Sequence, residues 1–101
     1  MKPLVVHPQA KAELDGAIAY YESRVTGLGV DFLDNIERAF QKIQQNPQAW
    51  PLYVDPRFRR YVLDRFPYSV FYIERLDAIW IVAVAHAKRR PDYWKRRDRT
   101  L

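Results

Sequence analysis

The stretch from Ile79 to Arg97, IWIVAVAHAKRRPDYWKRR, decides the fold. Ile79 to Ala85 is a continuous apolar run with high β-branched content, the pattern of a strand buried on both faces. At His86 the chemistry changes. Lys88, Arg89, Arg90, Lys95, Arg96 and Arg97 follow, with Pro91 placed to start a short helix and Tyr93 and Trp94 set among the charges. A core strand that delivers a histidine, a basic cluster and two aromatics to one edge marks that edge as the candidate anion-facing site. Counted in alternate positions, Trp80, Val82, Val84 and His86 share one face of the strand.

Upstream of this stretch, Tyr68 to Glu74 is rich in aromatic and β-branched residues and Phe58 to Leu63 alternates loosely, so both read as strands. Arg75 to Ala78 supplies a hairpin connection into the Ile79 strand. Gln48 to Pro56 reads as a loop broken by Pro51 and Pro56, with Trp50, Leu52 and Tyr53 holding it against the body. Further back lie two helical stripes. The first, Ala10, Leu14, Ala17, Ile18, Tyr21 and Val25, follows a cap at His7 and Pro8 and runs to about Arg24. Thr26 to Gly29 stop it, with glycine available for a left-handed turn. The second, Phe32, Leu33, Ile36, Ala39, Phe40 and Ile43, runs to about Gln45, where Asn46 and Pro47 end it. So short a linker implies an antiparallel helical hairpin. With a short strand at Leu4 to Val6, the order is β-α-α-β-β-β and a terminal helical turn. That order predicts an α+β fold, the hairpin packed on a small antiparallel sheet with a short C-terminal helix.

At 101 residues, 49% hydrophobic, residues 1–101 read as a single domain able to bury about two-thirds of its unfolded surface without staples. Cysteine is absent, which excludes disulfides and thiolate metal sites. Met1 to Leu14 holds only the apolar triplet Leu4, Val5 and Val6, far short of a signal core or membrane span, so the expectation is a soluble, cytoplasmic chain with no membrane partner. The net charge of +5 is uneven: residues 1–50 carry −1 and residues 51–101 carry +6. Such a second half attracts nucleic acid phosphate, an acidic protein segment or an anionic membrane.

Common cofactor signatures are missing. Three glycines make no phosphate-cradling loop, two distant histidines make no structural zinc site, and neither cofactor nor metal is expected. The carboxylates Glu13, Asp15 and Glu22 are assigned to the polar side of the first helix, and Asp31, Asp34 and Glu37 to that of the second. Ser23 and Ser69 have no neighbouring histidine, so a serine nucleophile has no support. What remains is a set of cations. Arginine's planar fork suits bidentate contact with phosphate or carboxylate. A metal-free ribonuclease can be assembled from such parts, with His86, whose reference pKa is about 6.5, as acid or base and Tyr93 or Trp94 stacking a splayed base. The competing readings are structural: His86 as a strand-end residue bonded to backbone, and Trp94 with Tyr93 as a latch fixing the terminal helix to the sheet.

The ensemble of Ala10 and Leu14 with Tyr20-Tyr21, Gly27-Leu28-Gly29 then Phe32-Leu33, Asn46-Pro47, Arg60 to Leu63, Arg65-Phe66-Pro67-Tyr68, and His86 with Arg89, Arg90, Pro91, Tyr93, Trp94 and Arg97 resembles the RelE/ParE superfamily of toxins from type II toxin-antitoxin (plasmid stabilisation) modules. The resemblance spans essentially the whole chain and implies the same fold together with a dedicated antitoxin that wraps and neutralises the toxin. It also implies one of two targets: DNA gyrase in the ParE-like branch, or mRNA cut on the ribosome in the RelE-like branch. For the nuclease, the resemblance nominates His86, Arg60, Arg65, Arg89 and Tyr93 as catalytic. The Arg-rich sheet edge and basic C-terminal segment, Arg57, Arg59, Lys88, Arg90, Trp94, Lys95, Arg96 and Arg97, are assigned to contact with target or antitoxin. Many RelE-like nucleases carry an arginine on the penultimate strand where this chain has Ser69, and the hairpin of about 38 residues from Pro8 to Gln45 resembles the ParE-like branch, so the leaning is to gyrase inhibition. A non-toxic relic that only binds nucleic acid or antitoxin is the third possibility.

Overall fold

A computed structural model describes residues 1–53 and 55–101; Val54, inside the expected loop, lies outside the described residues. The chain runs β1 (Leu4–Val6), α1 (Pro8–Arg24), α2 (Leu28–Gln45), β2 (Arg59–Val62), β3 (Tyr68–Glu74) and β4 (Ile79–His86), then a 3-10 turn at Lys95–Thr100. The sheet order is β1-β4-β3-β2. β2, β3 and β4 are antiparallel as expected, while β1 adds to β4 in parallel, so the sheet is mixed. The helical hairpin between β1 and β2 gives the chain room for this, since a parallel neighbour cannot be reached through a tight turn.

α1 begins because His7 caps it. The ring Nδ1 accepts from the backbone N–H of Gln9 at 3.1 Å, and Pro8 occupies the first helical position, where a missing N–H costs nothing. The linker is tighter than the sequence suggested, because Leu28 and Gly29 already belong to α2. Gly27 makes the turn at φ 89°, and both its N–H and that of Gly29 donate to the Glu22 carboxylate. Val25, assigned to the apolar stripe, is the exposed residue that ends α1. A Cβ on Gly29 would lie 2.8 Å from the Ile18 carbonyl, so glycine is what lets the two helices approach at this point.

The sheet is covered on both faces. On one, Ala10, Leu14 and Ala17 of α1 and Phe32, Ile36, Ala39 and Ile43 of α2 pack on Val70, Tyr72, Ile79, Ile81 and Val84. Tyr72 anchors this side. It is fully buried, its hydroxyl donates to the Pro47 carbonyl at 2.6 Å, and burial pushes its pKa up to about 12. On the other face, Trp94 closes a smaller core of Phe58, Phe71, Ile73, Val82, Ala83 and Ala85, stacked on Phe71 with ring centroids 4.2 Å apart. Removing a core Trp or Phe typically costs about 3–5 kcal/mol, so this latch is a main fastening of the C-terminal segment. In the loop, Trp50 packs on Tyr61 and Tyr53 on Phe71, but Leu52 is exposed and contributes only a backbone bridge to Arg59.

One irregularity reassigns side chains. Phe71 pairs with Ala83 and Tyr72 with Ile81, which leaves Val82 as an extra residue in β4, a β-bulge. Before it, Ile79 and Ile81 face the helices; after it Val84 does, and Val82 and Ala83 both lie in the Trp94 core. The single row expected for Trp80, Val82, Val84 and His86 is therefore split. Strict alternation fails across a bulge because one residue has no partner to hold its phase.

Two glycine substitutions test this packing in opposite directions. Gly29→Ala is expected to destabilise the fold by about 1–3 kcal/mol through the clash with backbone. Gly16→Ala, where an added Cβ meets nothing within 4 Å, is expected to stabilise by about 0.5–1 kcal/mol. Urea unfolding of both variants checks the signs.

Candidate functional site

β1 ends at Val6, and the last backbone bond on that side of β4 is His7 N–H to the Ile81 carbonyl at 2.9 Å. Beyond it, β4 runs on without a strand neighbour. Two side chains take the place of one. Glu13 Oε1 accepts from the Val84 N–H at 3.1 Å, and Arg97 Nη1 donates to the Val82 carbonyl at 2.9 Å. These two also pair with each other in a fork, Nη1 to Oε1 at 2.9 Å and Nη2 to Oε2 at 3.0 Å, with side chains only 14% and 12% exposed. The Tyr93 hydroxyl donates to Glu13 Oε2.

This corrects the assignment of Glu13 to a solvated helix face. A signal was present in the sequence: Glu13 stands three residues after Ala10 and four before Ala17, within the apolar stripe, where a carboxylate requires a partner. The network extends to His7. Because Nδ1 accepts from Gln9, the ring proton sits on Nε2 and donates to Thr100 Oγ1 at 2.7 Å, and that hydroxyl donates to the Arg97 carbonyl at 2.9 Å. Burial, then the Arg97 charge, lowers the His7 pKa against an opposing pull from Glu13.

At the other side of the C-terminal segment lies a cleft of about 170 Å³, walled by Tyr53, Arg60, Ser69, Phe71, Arg89 and Trp94 among others. The segment reaches it through a sharp turn at Asp92, which adopts φ 65°, a left-handed value that aspartate tolerates. The turn sends Trp94 into the core and Tyr93 to Glu13. Arg60 Nε donates to Ser69 Oγ at 3.0 Å, and its guanidinium lies about 6 Å from the centroids of Tyr53 and Phe71. Arg89 sits 4.0 Å over the Tyr93 ring, and Arg97 lies 5.2 Å from the same centroid. Burial, followed by the Asp92 carboxylate, raises the Tyr53 hydroxyl; burial, followed by Glu13, raises that of Tyr93 well above the ordinary tyrosine range.

The sequence candidates therefore divide. Arg60, His86, Arg89, Arg90, Tyr93 and Trp94 line the cleft. Arg60, Lys88, Arg89, Arg90 and Arg96 carry no carboxylate partner among the described residues. Arg57 is held by Asp55 and Asp98, and its side chain keeps the Asp55 carboxyl at about 2. Arg59 donates to the Trp50 carbonyl at 2.7 Å, and Lys95 lies 3.5 Å from Asp92. Trp94 is 1% exposed. Arg65 is not brought to the cleft; it lies over Phe66, 4.0 Å from Asp31 of α2. His86 also lines the cleft. It is paired across the sheet with Tyr68 and packs edge-on against that ring at 5.0 Å, whereas Ser69, the next residue, faces the cleft with Arg60. Its Nδ1 accepts from the Lys88 N–H at 2.9 Å, as the strand-end reading anticipated. Among the described residues no group of three His, Asp or Glu could hold a metal, and no helix is long and apolar enough to cross a membrane.

Residues 4–91 match the model of a family described as the ParE toxin of type II toxin-antitoxin system, parDE. Among solved structures, a chain of the chromosomal ParDE TA system from P. aeruginosa superposes with a TM-score of 0.75 at 23% identity, over 87% of this chain and 98% of that one. At that identity the likeness speaks for the fold. None of the curated proteins matches the chain.

Two measurements probe the network. Glu13→Ala strands Arg97 and the Val84 N–H, and is expected to cost about 3 kcal/mol in urea unfolding. Asp15→Ala, which breaks the exposed Lys11 pair at 2.8 Å, is expected to cost about 0.5 kcal/mol or less. For His7 the folded pKa is the lower one, so its contribution is complete above about pH 6.5 and is lost as pH falls through the folded value. His7→Asn, which keeps a capping oxygen and cannot titrate, is expected to flatten that part of the stability profile as pH falls below about 6.5.

Proposed function

The chain belongs to the ParE toxin family of type II toxin-antitoxin systems, and from that premise we propose that it arrests growth by binding and inhibiting DNA gyrase, neutralised by a cognate antitoxin. The observation that supports the non-catalytic reading is that the proton-transfer candidates lining the cleft are already engaged. His86 packs edge-on against Tyr68, with one ring nitrogen taken by the Lys88 N–H. Tyr93 is tied to Glu13, and its raised pKa opposes a role as base. These contacts favour a cleft that binds charge over one that moves protons. Lys88, Arg89, Arg90 and Arg96 form the cationic end offered to gyrase or, in the neutral complex, to the antitoxin's acidic residues.

One observation favours a second reading, ribosome-dependent cleavage of mRNA. Arg60 reaches across from β2 to Ser69, so a guanidinium stands where the resemblance to RelE-like nucleases calls for one. In that reading Arg60 and Arg89 stabilise the phosphorane, and His86, which lines the same cleft, moves the proton.

Induction in cells, followed by mapping of message ends and by a supercoiling assay with purified gyrase, separates the two. Blocked supercoiling with intact messages is the expected result. Cleavage of messages on translating ribosomes, lost on His86→Ala, would overturn it. Lys88→Gln with Arg90→Gln is expected to weaken gyrase inhibition about tenfold at low salt and less at high salt, as for rim charges that steer association.

A further inference from the structure

His7 is the joint between β1 and α1, and its backbone and ring are both in use. The backbone N–H donates to the Ile81 carbonyl, and the backbone carbonyl accepts from the Lys11 N–H, each at 2.9 Å. In the ring, Nδ1 accepts from the Gln9 N–H at 3.1 Å and Nε2–H donates to Thr100 Oγ1 at 2.7 Å. Only the neutral ring with its proton on Nε2 satisfies both ring contacts. A second proton has to sit on Nδ1, where it faces the Gln9 N–H at the positive end of a 17-residue helix. Two charged groups act on the ring: Arg97 from the terminal turn opposes the second proton, and Glu13 from α1 favours it. Glu13 is already engaged by Arg97, Tyr93 and the Val84 N–H, while Lys11, the other charged residue near the start of α1, pairs with Asp15. From β4 comes the Ile81 carbonyl, taken by the His7 N–H.

We propose that His7 is a proton-operated latch on the 3-10 turn at Lys95–Thr100: neutral, it caps α1 and tethers Thr100 with one ring, and protonated, it gives up both and frees the end of the turn. The two contacts are lost together because both nitrogens belong to one planar ring, so a rotation that takes Nδ1 away from Gln9 also swings Nε2 off Thr100. Trp94 in the second core, Arg97 on Glu13 and Asp98 on Arg57 stay in place, which confines the movement to the residues after Asp98. Thr100 walls a hollow with Gln9, Tyr93, Arg96 and Arg97. Its departure opens that hollow towards the Glu13–Arg97 pair, whose side chains are otherwise 14% and 12% exposed. Burial and the Arg97 charge hold the folded pKa below the ordinary value, so the latch is closed at neutral pH and opens as pH falls through the folded value. The proton sensor thus lies where α1, β4 and the C-terminal segment meet.

NMR of the isotope-labelled full chain, titrated downwards from about pH 7.5, reads the latch directly. At neutral pH the ring nitrogen shifts of His7 are expected to report a proton on Nε2. On acidification the amides of Gln9, Arg99, Thr100 and Leu101 are expected to shift with the His7 ring at one midpoint, while the heteronuclear NOE of the last three falls to that of a free tail. His7→Asn, which caps without titrating, is expected to remove the Gln9 transition and to leave the end of the turn free at every pH. Thr100→Val, which removes the tether and keeps the cap, should free the turn at every pH and retain the Gln9 transition. Because Thr100 is exposed, this variant keeps the test available whatever His7→Asn does to folding. His86→Gln should leave both transitions as in the parent. The proposal is overturned if the neutral ring carries its proton on Nδ1, if Gln9 titrates while residues 99–101 stay ordered, or if Thr100→Val leaves the turn as ordered as the parent at neutral pH. A transition of residues 99–101 that persists in His7→Asn would also sink it. So would loss of the native Trp94 and Val84 amide signals at the same midpoint, which would mean acid unfolding of the whole chain rather than the opening of one latch.

Discussion

An eight-residue strand lying beside a three-residue one leaves backbone polar groups along its edge, and that mismatch governs the rest of the molecule. β4 is buried along nearly its whole length, and unpaired N–H and C=O groups there would each cost on the order of 1–3 kcal/mol. Glu13 and Arg97 answer the Val84 N–H and the Val82 carbonyl, and they neutralise each other in doing so. One residue comes from the first helix and the other from near the end of the chain. The same four-part contact therefore fixes helix, strand and C-terminal segment together. A buried ion pair is weak evidence for net stability on its own. Here its remaining donors and acceptors are filled by backbone and by Tyr93, the condition under which such a pair is tolerated inside a fold.

That fixation determines what the cationic half of the sequence can do. Once Arg97 is committed to Glu13, Arg57 to Asp55 and Asp98, and Arg59 to the loop carbonyls, the cations of the second half left without a carboxylate partner among the described residues are Arg60, Lys88, Arg89, Arg90, Arg96 and Arg99, with Arg75 at the β3–β4 turn. Tyr93 and Trp94, adjacent in sequence, are driven apart by the turn at Asp92. One joins the ion-pair network, and the other fills the second core. Neither is left as a free stacking surface. Tyr53, from the loop before β2, is the aromatic that stands beside Arg60. The site is thus built from β2, β3 and the loop as much as from the C-terminal segment itself.

The bulge at Val82 has a comparable reach. By inserting one residue into β4 it lets Ile79 and Ile81 before it, and Val84 after it, all face the helices while Val82 and Ala83 both enter the Trp94 core. Residues after the bulge are thereby shifted in phase, and His86 ends on the side of Tyr68 while Ser69 and Arg60 stay on the other.

The sequence by itself determined the elements and their order. Periodicity of 3.6 placed both helices to Arg24 and Gln45, the apolar run placed β4, and Pro8, Gly27 and Pro47 marked the boundaries, because these signals are local and each residue's own conformational limits carry them. The family resemblance likewise rested on order and spacing along the chain. Partner choice was decided only in three dimensions. That β1 pairs in parallel with β4, that Glu13 meets Arg97 across 84 positions, that Arg60 leans on Ser69 and that Arg65 turns to Asp31 all depend on which elements the fold brings side by side. Glu13 was half legible, its place in the apolar stripe visible but its partner not. The phase of β4 was not legible at all, since a bulge arises from the register between two strands and neither strand's sequence contains it.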